Sequence, residues 1–273
     1  PDALHEAKLL MLDINKAHLK NLGVDSVALG FVAGFTGKAI EEGVAALGVK
    51  ADFITVSDGV SRINVKLKAG EETEINGKGP NISDAELEEL YKKLDGLTDG
   101  DCLVLAGAIP PSLPSDVYEK IMARLAGKKV DIVVDATKDL LLNVLKYHPF
   151  LIKPNNFELG EMFGVTLHSD EEIEEYAKRL QALGARNVAI SMAGDGSMLI
   201  TETGETYRMG VPKGKVVNSV GAGDSMVAGF IASYFAEHDY MKALKYGAAT
   251  GSATAFSEGL ATKDQVETLL GQF

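Results

Sequence analysis

The sequence predicts an α/β fold built on a doubly wound, mostly parallel sheet. Three observations carry that reading. Several apolar runs, among them Cys102–Ala106, Val130–Val134 and Val188–Met192, show no polar alternation, which is how strands read when both faces are covered. Segments of helical period separate them, the pattern of parallel crossover units. At 273 residues and 29.0 kDa the chain can build one large domain whose core needs no covalent staples. Residues 1–273 are therefore read as one domain.

The elements follow in order. Val27–Val32 is a short apolar run and Thr36–Leu47 reads as a helix. Ile63–Leu67 and Glu72–Asn76 alternate and join near Ala69-Gly70, a hairpin pattern. This polar hairpin, at about 61–77, interrupts the apolar rhythm and is expected to be a lid or interface flap. Its Ile63, Val65 and Leu67 form an apolar face with no core of their own, so pairing with a second copy in a homodimer is expected. Ser83 and Glu86 make a capping-box pattern ahead of Leu87, Leu90, Tyr91 and Leu94. Ser115–Ala126 places Val117, Ile121 and Leu125 on one helical face, and Phe150–Ile152 is a further strand. Ser169 and Glu172 cap the helix that carries Ile173, Tyr176, Ala177 and Leu180. Ser225–Phe235, Lys242–Phe256 and Lys263–Leu270 read as three successive helices. Gly247, Ala248, Ala249, Gly251 and Ala253 give the middle one a small face for close packing.

Charge and composition exclude some function classes. The formal net charge is −12 and the pI about 4.9. A non-specific binder of the nucleic-acid backbone carries the opposite sign, so no nucleic-acid partner is expected. The longest apolar stretch, Met226–Ala236, falls far short of a membrane span. No secretory leader is read at the start of the sequence, and a cytoplasmic chain without a membrane partner is expected. The single cysteine, Cys102, excludes an intrachain disulfide framework. The histidines are scattered without ligand spacing, and none is assigned to a site.

The residues that bear chemistry cluster in glycine-rich turns. Asn218-Ser219-Val220-Gly221-Ala222-Gly223-Asp224 stands directly before a helix. Its glycines let backbone amides converge, and a helix start offers unpaired amides and a positive dipole end to an anion. Asp224 repels an anion unless it has its own task, such as accepting the proton of an attacking hydroxyl in phosphoryl transfer. A plain helix-capping role for Asp224 fits the same spacing. The motif is not a dinucleotide fingerprint, because Met226 stands where the third glycine belongs. Gly34-Phe35-Thr36-Gly37-Lys38 lacks Walker A spacing and reads as a strand–helix turn.

Lys153-Pro154-Asn155-Asn156-Phe157-Glu158 follows a strand. Asn155 and Glu158 share a helix face, and that oxygen pair suits Mg²⁺; the same spacing suits a helix cap. Ser191-Met192-Ala193-Gly194-Asp195-Gly196 reads either as a turn around a nucleotide or as a hairpin turn into Met198–Thr201. Gly107, ahead of Pro110-Pro111, allows close backbone approach at a strand end. Arg62, on the flap, reads either as a grip for a substrate phosphate or as a solvated side chain.

Taken together these motifs resemble the phosphofructokinase B group of the ribokinase-like carbohydrate kinases. The segment 218–224 is similar to that family's C-terminal signature, and Asn155 with Glu158 is similar to its Asn-x-x-Glu element. Residues 191–196 resemble its ATP-binding turn, with Ala193 where glycine is usual. Arg62-Ile63-Asn64 and Glu72–Asn76 resemble the lid of the 1-phosphofructokinase subgroup, in which the arginine grips the substrate phosphate. The resemblance implies a ribokinase-like fold with a small β lid, and an ATP- and Mg²⁺-dependent sugar-phosphate kinase. The implied reaction converts fructose 1-phosphate to fructose 1,6-bisphosphate, with tagatose 6-phosphate kinase as the alternative within the class.

It implies Asp224 as general base and the amides of Gly221, Ala222 and Gly223 as the anion hole. Arg62, Gly107 and Asn15 would bind the sugar, and Glu158 with Asn155 would hold Mg²⁺ through water. Lys153, Asn155, Ser191, Gly194 and Gly196 are expected on the ATP side. So are Ser219, Val220, Gly221, Gly223, Ala248 and Ser252, with Val220 and Ala248 near the adenine. The family opens with a strand, a sugar-binding Asp and a Gly-Gly-Lys-Gly segment. Pro1–Lys20 reads with neither the strand nor the Gly-Gly run, and Ile14-Asn15 resembles a remnant of the segment's end. An incomplete sugar side is therefore expected, and a non-catalytic nucleotide- or sugar-binding protein is the alternative from another class.

Overall fold

The computed structural model describes residues 9–11, 19–69, 71–107 and 109–273. The first part of the chain gives strands β1 (Leu9–Met11), β2 (Ser26–Ala28) and β3 (Phe31–Ala33), helix α1 (Gly34–Ala46), and strands β4 (Lys50–Ala51) and β5 (Ile54–Val56). A hairpin, β6 (Asn64–Ala69) and β7 (Glu71–Asn76), precedes α2 (Asp84–Asp95). Then β8 (Cys102–Ala106), α3 (Val117–Leu125), β9 (Asp131–Asp135), α4 (Lys138–Val144), β10 (Leu151–Ile152), a helix pair α5 (Asn156–Phe163) and α6 (Asp170–Ala182), and β11 (Asn187–Ser191) alternate strands with helical crossovers. Strands β12 (Ser197–Ile200) and β13 (Thr206–Met209) and helices α7 (Ala222–Glu237), α8 (Tyr240–Ala255) and α9 (Lys263–Leu270) complete the described chain.

Nine strands form the main sheet in the order β13-β12-β11-β10-β9-β8-β1-β2-β4. The last seven of these are parallel, while β12 and β13 add antiparallel at one edge. The non-alternating runs have the expected cause. Leu103, Leu105, Ile132, Val134, Val188 and Ile190 pack into one core with Leu90, Ile121, Leu141, Leu159 and Leu180 from α2 to α6. Their neighbours Cys102, Val104, Val133 and Ala189 pack into a second core with Val227, Phe230 and Leu244 from α7 and α8. Helices on both faces make the sheet doubly wound, as predicted. Each fully buried Leu or Ile in these layers stabilises by roughly 1.5–3 kcal/mol relative to exposure.

Two sequence readings are corrected. The segment 1–20 does contain an opening strand: β1 lies between β2 and β8. A strand of three residues is too short to show a periodicity. The Val27–Val32 run is not one strand. It divides at Gly30 into β2, in the main sheet, and β3, which pairs with β5 in a two-stranded sheet. The divide is held by two bonds, from the Asp52 amide to the Ala28 carbonyl and from the Ile54 amide to the Gly30 carbonyl. The β6–β7 hairpin stands apart as its own two-stranded sheet. Val65 pairs directly with Ile75. Ile63, Val65 and Ile75 are 58%, 41% and 58% exposed, and the Leu67 side chain lies outside the described residues.

The small face of α8 packs on α7. A Cβ at Gly247 would come 2.7 Å from the Met226 carbonyl oxygen, and one at Gly251 would come 2.9 Å from that of Ala222. Helix α7 carries apolar residues around its whole circumference, because α8 covers one side and the sheet the other. That sandwich fixes where the α7 N-terminus points. Among the described residues, no helix is long and apolar enough to cross a membrane.

Candidate active site

In an open parallel sheet, ligands sit beyond the carboxyl ends of the strands. Here those ends present Gly107 after β8, Asp135 at the end of β9, Lys153 just after β10 and Ser191 at the end of β11. The register Ala106↔Asp135 sets Gly107 beside Asp135 along one edge. Lys153 is only 8% exposed, and its ammonium lies 3.3 Å from Asp135 Oδ1. A Cβ at Gly223 would come 3.2 Å from Lys153 Nζ, so the ammonium abuts the first turn of α7. The Lys153 ammonium, paired with Asp135, thus stands beside a helix N-terminus, whose dipole favours an anion.

Helix α7 begins at Ala222, three residues earlier than the sequence reading placed it. Gly221 is its cap, with φ +80°, a left-handed conformation that glycine adopts freely. Asp224 is therefore the third helical residue and not the cap, and it is half-buried. The Ala222 amide already donates to the Ser219 carbonyl at 3.2 Å. Among the described residues, the amides of Gly221 and Gly223, on either side of it, show no such partner. The turn is braced from below. Ser225 Oγ donates to the Gly221 carbonyl at 2.8 Å, so Thr254 Oγ1, 2.7 Å away, must donate to Ser225. Thr254 Oγ1 in turn accepts from the Ala261 amide.

Asn155 and Glu158 form a reciprocal capping box at the start of α5. The Asn155 amide donates to Glu158 Oε2 and the Glu158 amide to Asn155 Oδ1, each at 2.8 Å. The helix-cap reading is thus realised. It leaves Glu158 Oε1 available, and one carboxylate oxygen suits a hydrated Mg²⁺, which keeps most of its waters. Among the described residues, no group of three or more acidic, histidine or cysteine side chains could cage a metal directly.

Asn155 bridges to Ser191, and the Ser191 amide donates to the Pro154 carbonyl at 3.2 Å, so the two turns are neighbours. Residues 191–196 form the hairpin turn between β11 and β12, closed by the Met192 amide on the Gly196 carbonyl at 2.8 Å. Ala193 sits at φ +46°, which explains why glycine suits that position. Gly196 serves the fold, since a Cβ there would run into the Met209 carbonyl. Gly194 faces open space. On the far side of α7, the amides of Val217 and Asn218 both donate to the Ala255 carbonyl, at 2.8 and 3.1 Å. This ties the loop of exposed Val216, Val217 and Val220 to the end of α8. Ala248 and Ser252 lie one turn apart on α8, each half-buried.

Arg62 and Gly107 line a cavity of about 730 Å³ together with Ser61, Asn64 and Lys78. Asn15 lies outside the described residues. The structure thus gathers the candidates into two groups: Arg62 with Gly107, and Lys153 with Asn155, Ser191 and the α7 turn. The β8–β9 register joins them at one sheet edge. Four of the five arginines hold carboxylates: Arg124 that of Asp95, Arg179 that of Glu175, Arg186 those of Asp131 and Glu202, and Arg208 that of Asp170. Arg62 alone has no ion pair among the described residues. The sequence reading named neither Asp135, which pairs with Lys153, nor Lys78, which lines the cavity. Asp135 had a readable signal, an acid closing an apolar parallel strand.

Residues 14–267 match the family described as "pfkB family carbohydrate kinase". The chain belongs to that family. It is 48% identical over 252 residues to the 1-phosphofructokinase of Bacillus subtilis, covering 92% of this chain and 82% of the relative. It is 38% identical over 255 residues to the D-tagatose-1-phosphate kinase of Bacillus licheniformis, covering 93% and 83%. The fold superposes on Escherichia coli phosphofructokinase-2 in complex with fructose-6-phosphate, with TM-score 0.86 and 20% identity over 97% of this chain and 98% of that one. It also superposes on Arabidopsis thaliana ribokinase complexed with ribose and ATP, with TM-score 0.75 and 16% identity over 96% and 94%. This pfkB member is therefore a sugar kinase of ribokinase-like fold.

Proposed function

We propose that this kinase phosphorylates the 6-hydroxyl of fructose 1-phosphate, giving fructose 1,6-bisphosphate, with ATP as donor and Mg²⁺ as its counter-ion. The observation that carries the reading is Arg62: an arginine without a carboxylate partner among the described residues, lining the cavity at the strand ends. A guanidinium there suits an acceptor that already bears a phosphate. Relatives named for fructose 1-phosphate and tagatose 1-phosphate chemistry support the same choice. They differ from the tagatose 6-phosphate alternative in carrying the phosphate at C1, which leaves the 6-hydroxyl as acceptor.

In this reading Asp224 accepts the proton of the attacking 6-hydroxyl. The amides of Gly221 and Gly223 and the Lys153 ammonium hold the charge that develops on the transferred phosphoryl group. Asp135 keeps Lys153 in place. Glu158 Oε1 orients water around Mg²⁺, which would screen the phosphate charges when bound. Ala248, Ser252 and Val220 shape the adenine side. Membership in a family of kinases, and an acid within the helix rather than at its cap, argue against the binding-protein alternative.

A coupled kinase assay with fructose 1-phosphate, tagatose 1-phosphate, tagatose 6-phosphate, fructose 6-phosphate and ribose tests the assignment. The highest kcat/KM is expected with fructose 1-phosphate. A preference for ribose or for a 6-phosphate would overturn it. We also propose that the β6–β7 hairpin is a lid that pairs with its copy, because Ile63, Val65 and Ile75 leave an apolar face exposed. Sedimentation at micromolar concentration should give a dimer, and a fully active monomer would refute the pairing.

A further inference from the structure

We infer that Lys78 is a second cation for the phosphate of the acceptor sugar, working beside Arg62 to set specificity. The inference rests on the reading that the acceptor is a sugar phosphate. Lys78 lines the same cavity as Arg62, Asn64 and Gly107. The chain returns from the hairpin across Arg62 in the segment Gly77-Lys78-Gly79. The Gly77 amide donates to the Ile63 carbonyl at 3.1 Å. A Cβ on Gly77 would come 2.9 Å from that carbonyl oxygen and 3.4 Å from Arg62 Cβ, and one on Gly79 would come 3.7 Å from Arg62 Cβ. The close approach at Gly77 leaves no room for a side chain there. Gly79 also takes φ +80°, which sets the turn direction.

A lysine without a partner is ordinary on an open surface. Lys78 differs in sharing a cavity with Arg62, and among the described residues neither cation has an ion pair. The charge arithmetic gives the pair a task. A phosphate monoester carries roughly −1.5 to −2 near neutral pH. One guanidinium leaves roughly half to one negative charge uncompensated. The chain, at −12, supplies no general attraction to an anion. Arginine's planar fork takes two phosphate oxygens, and a flexible ammonium reaches the third as a point charge. An acceptor without phosphate gives Lys78 nothing to hold, so the residue discriminates rather than catalyses.

The test compares wild type, Lys78→Ala, Lys78→Arg and Arg62→Ala by steady-state kinetics with fructose 1-phosphate, and by competitive inhibition with inorganic phosphate. Lys78→Ala should raise the KM for fructose 1-phosphate about tenfold, with kcat and the KM for ATP within about twofold. Inhibition by inorganic phosphate should weaken in parallel, and Lys78→Arg should restore most of both. A melting temperature equal to wild type checks that the exposed substitution leaves the fold intact. If Arg62→Ala raises the KM and Lys78→Ala does not, the Lys78 assignment falls and the sugar-phosphate reading stands. If neither variant raises it, the sugar-phosphate reading falls as well. A Lys78→Ala effect as large on ATP as on the sugar would also overturn the assignment.

Discussion

Asp224→Asn should lower kcat by about 10²–10⁴ while ATP affinity in the presence of Mg²⁺ stays within a few-fold. The substitution keeps the size of the side chain and removes its ability to accept a proton. The cap of the helix does not depend on it. Gly221, not Asp224, caps α7, and the turn is braced from Ser225 and Thr254. Loss of a carboxylate from the first helical turn costs about 0.3–1 kcal/mol through the helix dipole. The groups proposed to hold ATP, namely Lys153 and the amides of Gly221 and Gly223, are untouched. The two readouts therefore separate, and calorimetric ATP titration beside a turnover assay checks both. An Asn variant that retains most of its turnover would show that Asp224 serves the helix alone. An equal loss of ATP affinity would place the carboxylate on the nucleotide instead of on the acceptor hydroxyl.

What the sequence discloses follows from whether the signal is local. Cys102–Ala106 reads correctly residue for residue, because a strand covered on both faces is uniformly apolar. The capping box at Ser83 reads correctly because its reciprocal bonds span three residues. Strand β13 goes unread, since Thr206–Met209 is a half-exposed edge containing Arg208. The start of α7 is misplaced by three residues because Gly221 and Gly223 look like loop residues, yet only Gly221 lies outside the helix. The same holds for the site. Asp224, Asn155 and Glu158 announce themselves by motif. The Lys153–Asp135 pair does not, because it depends on β9 and β10 lying side by side in register. Lys78 is silent for a like reason: nothing local indicates that the chain leaving β7 crosses Arg62.

Arg62→Ala should weaken capture of fructose 1-phosphate about 10- to 100-fold, and the loss should appear mainly in KM. The magnitude follows from a charge-assisted hydrogen bond worth roughly 1.5–3 kcal/mol net, at a tenfold change per 1.4 kcal/mol. The assignment to KM follows from where the contact is made. A phosphate on C1 is remote from the 6-hydroxyl where bonds change, so the guanidinium holds it equally in the ground and transition states. Uniform binding of this kind lowers KM without raising kcat. The alternative is an arginine that merely decorates the hairpin. The other four arginines give the measure of that alternative, because each is tied to a carboxylate. In a chain at −12, an arginine in a cavity with no carboxylate partner among the described residues suits an anion that arrives from outside. Arg62→Lys should recover only part of the affinity, since an ammonium lacks the planar fork. Steady-state kinetics of the two variants decides the matter: an unchanged KM in Arg62→Ala would remove the phosphate clamp, and with it the main structural reason for preferring a phosphorylated acceptor to a free sugar.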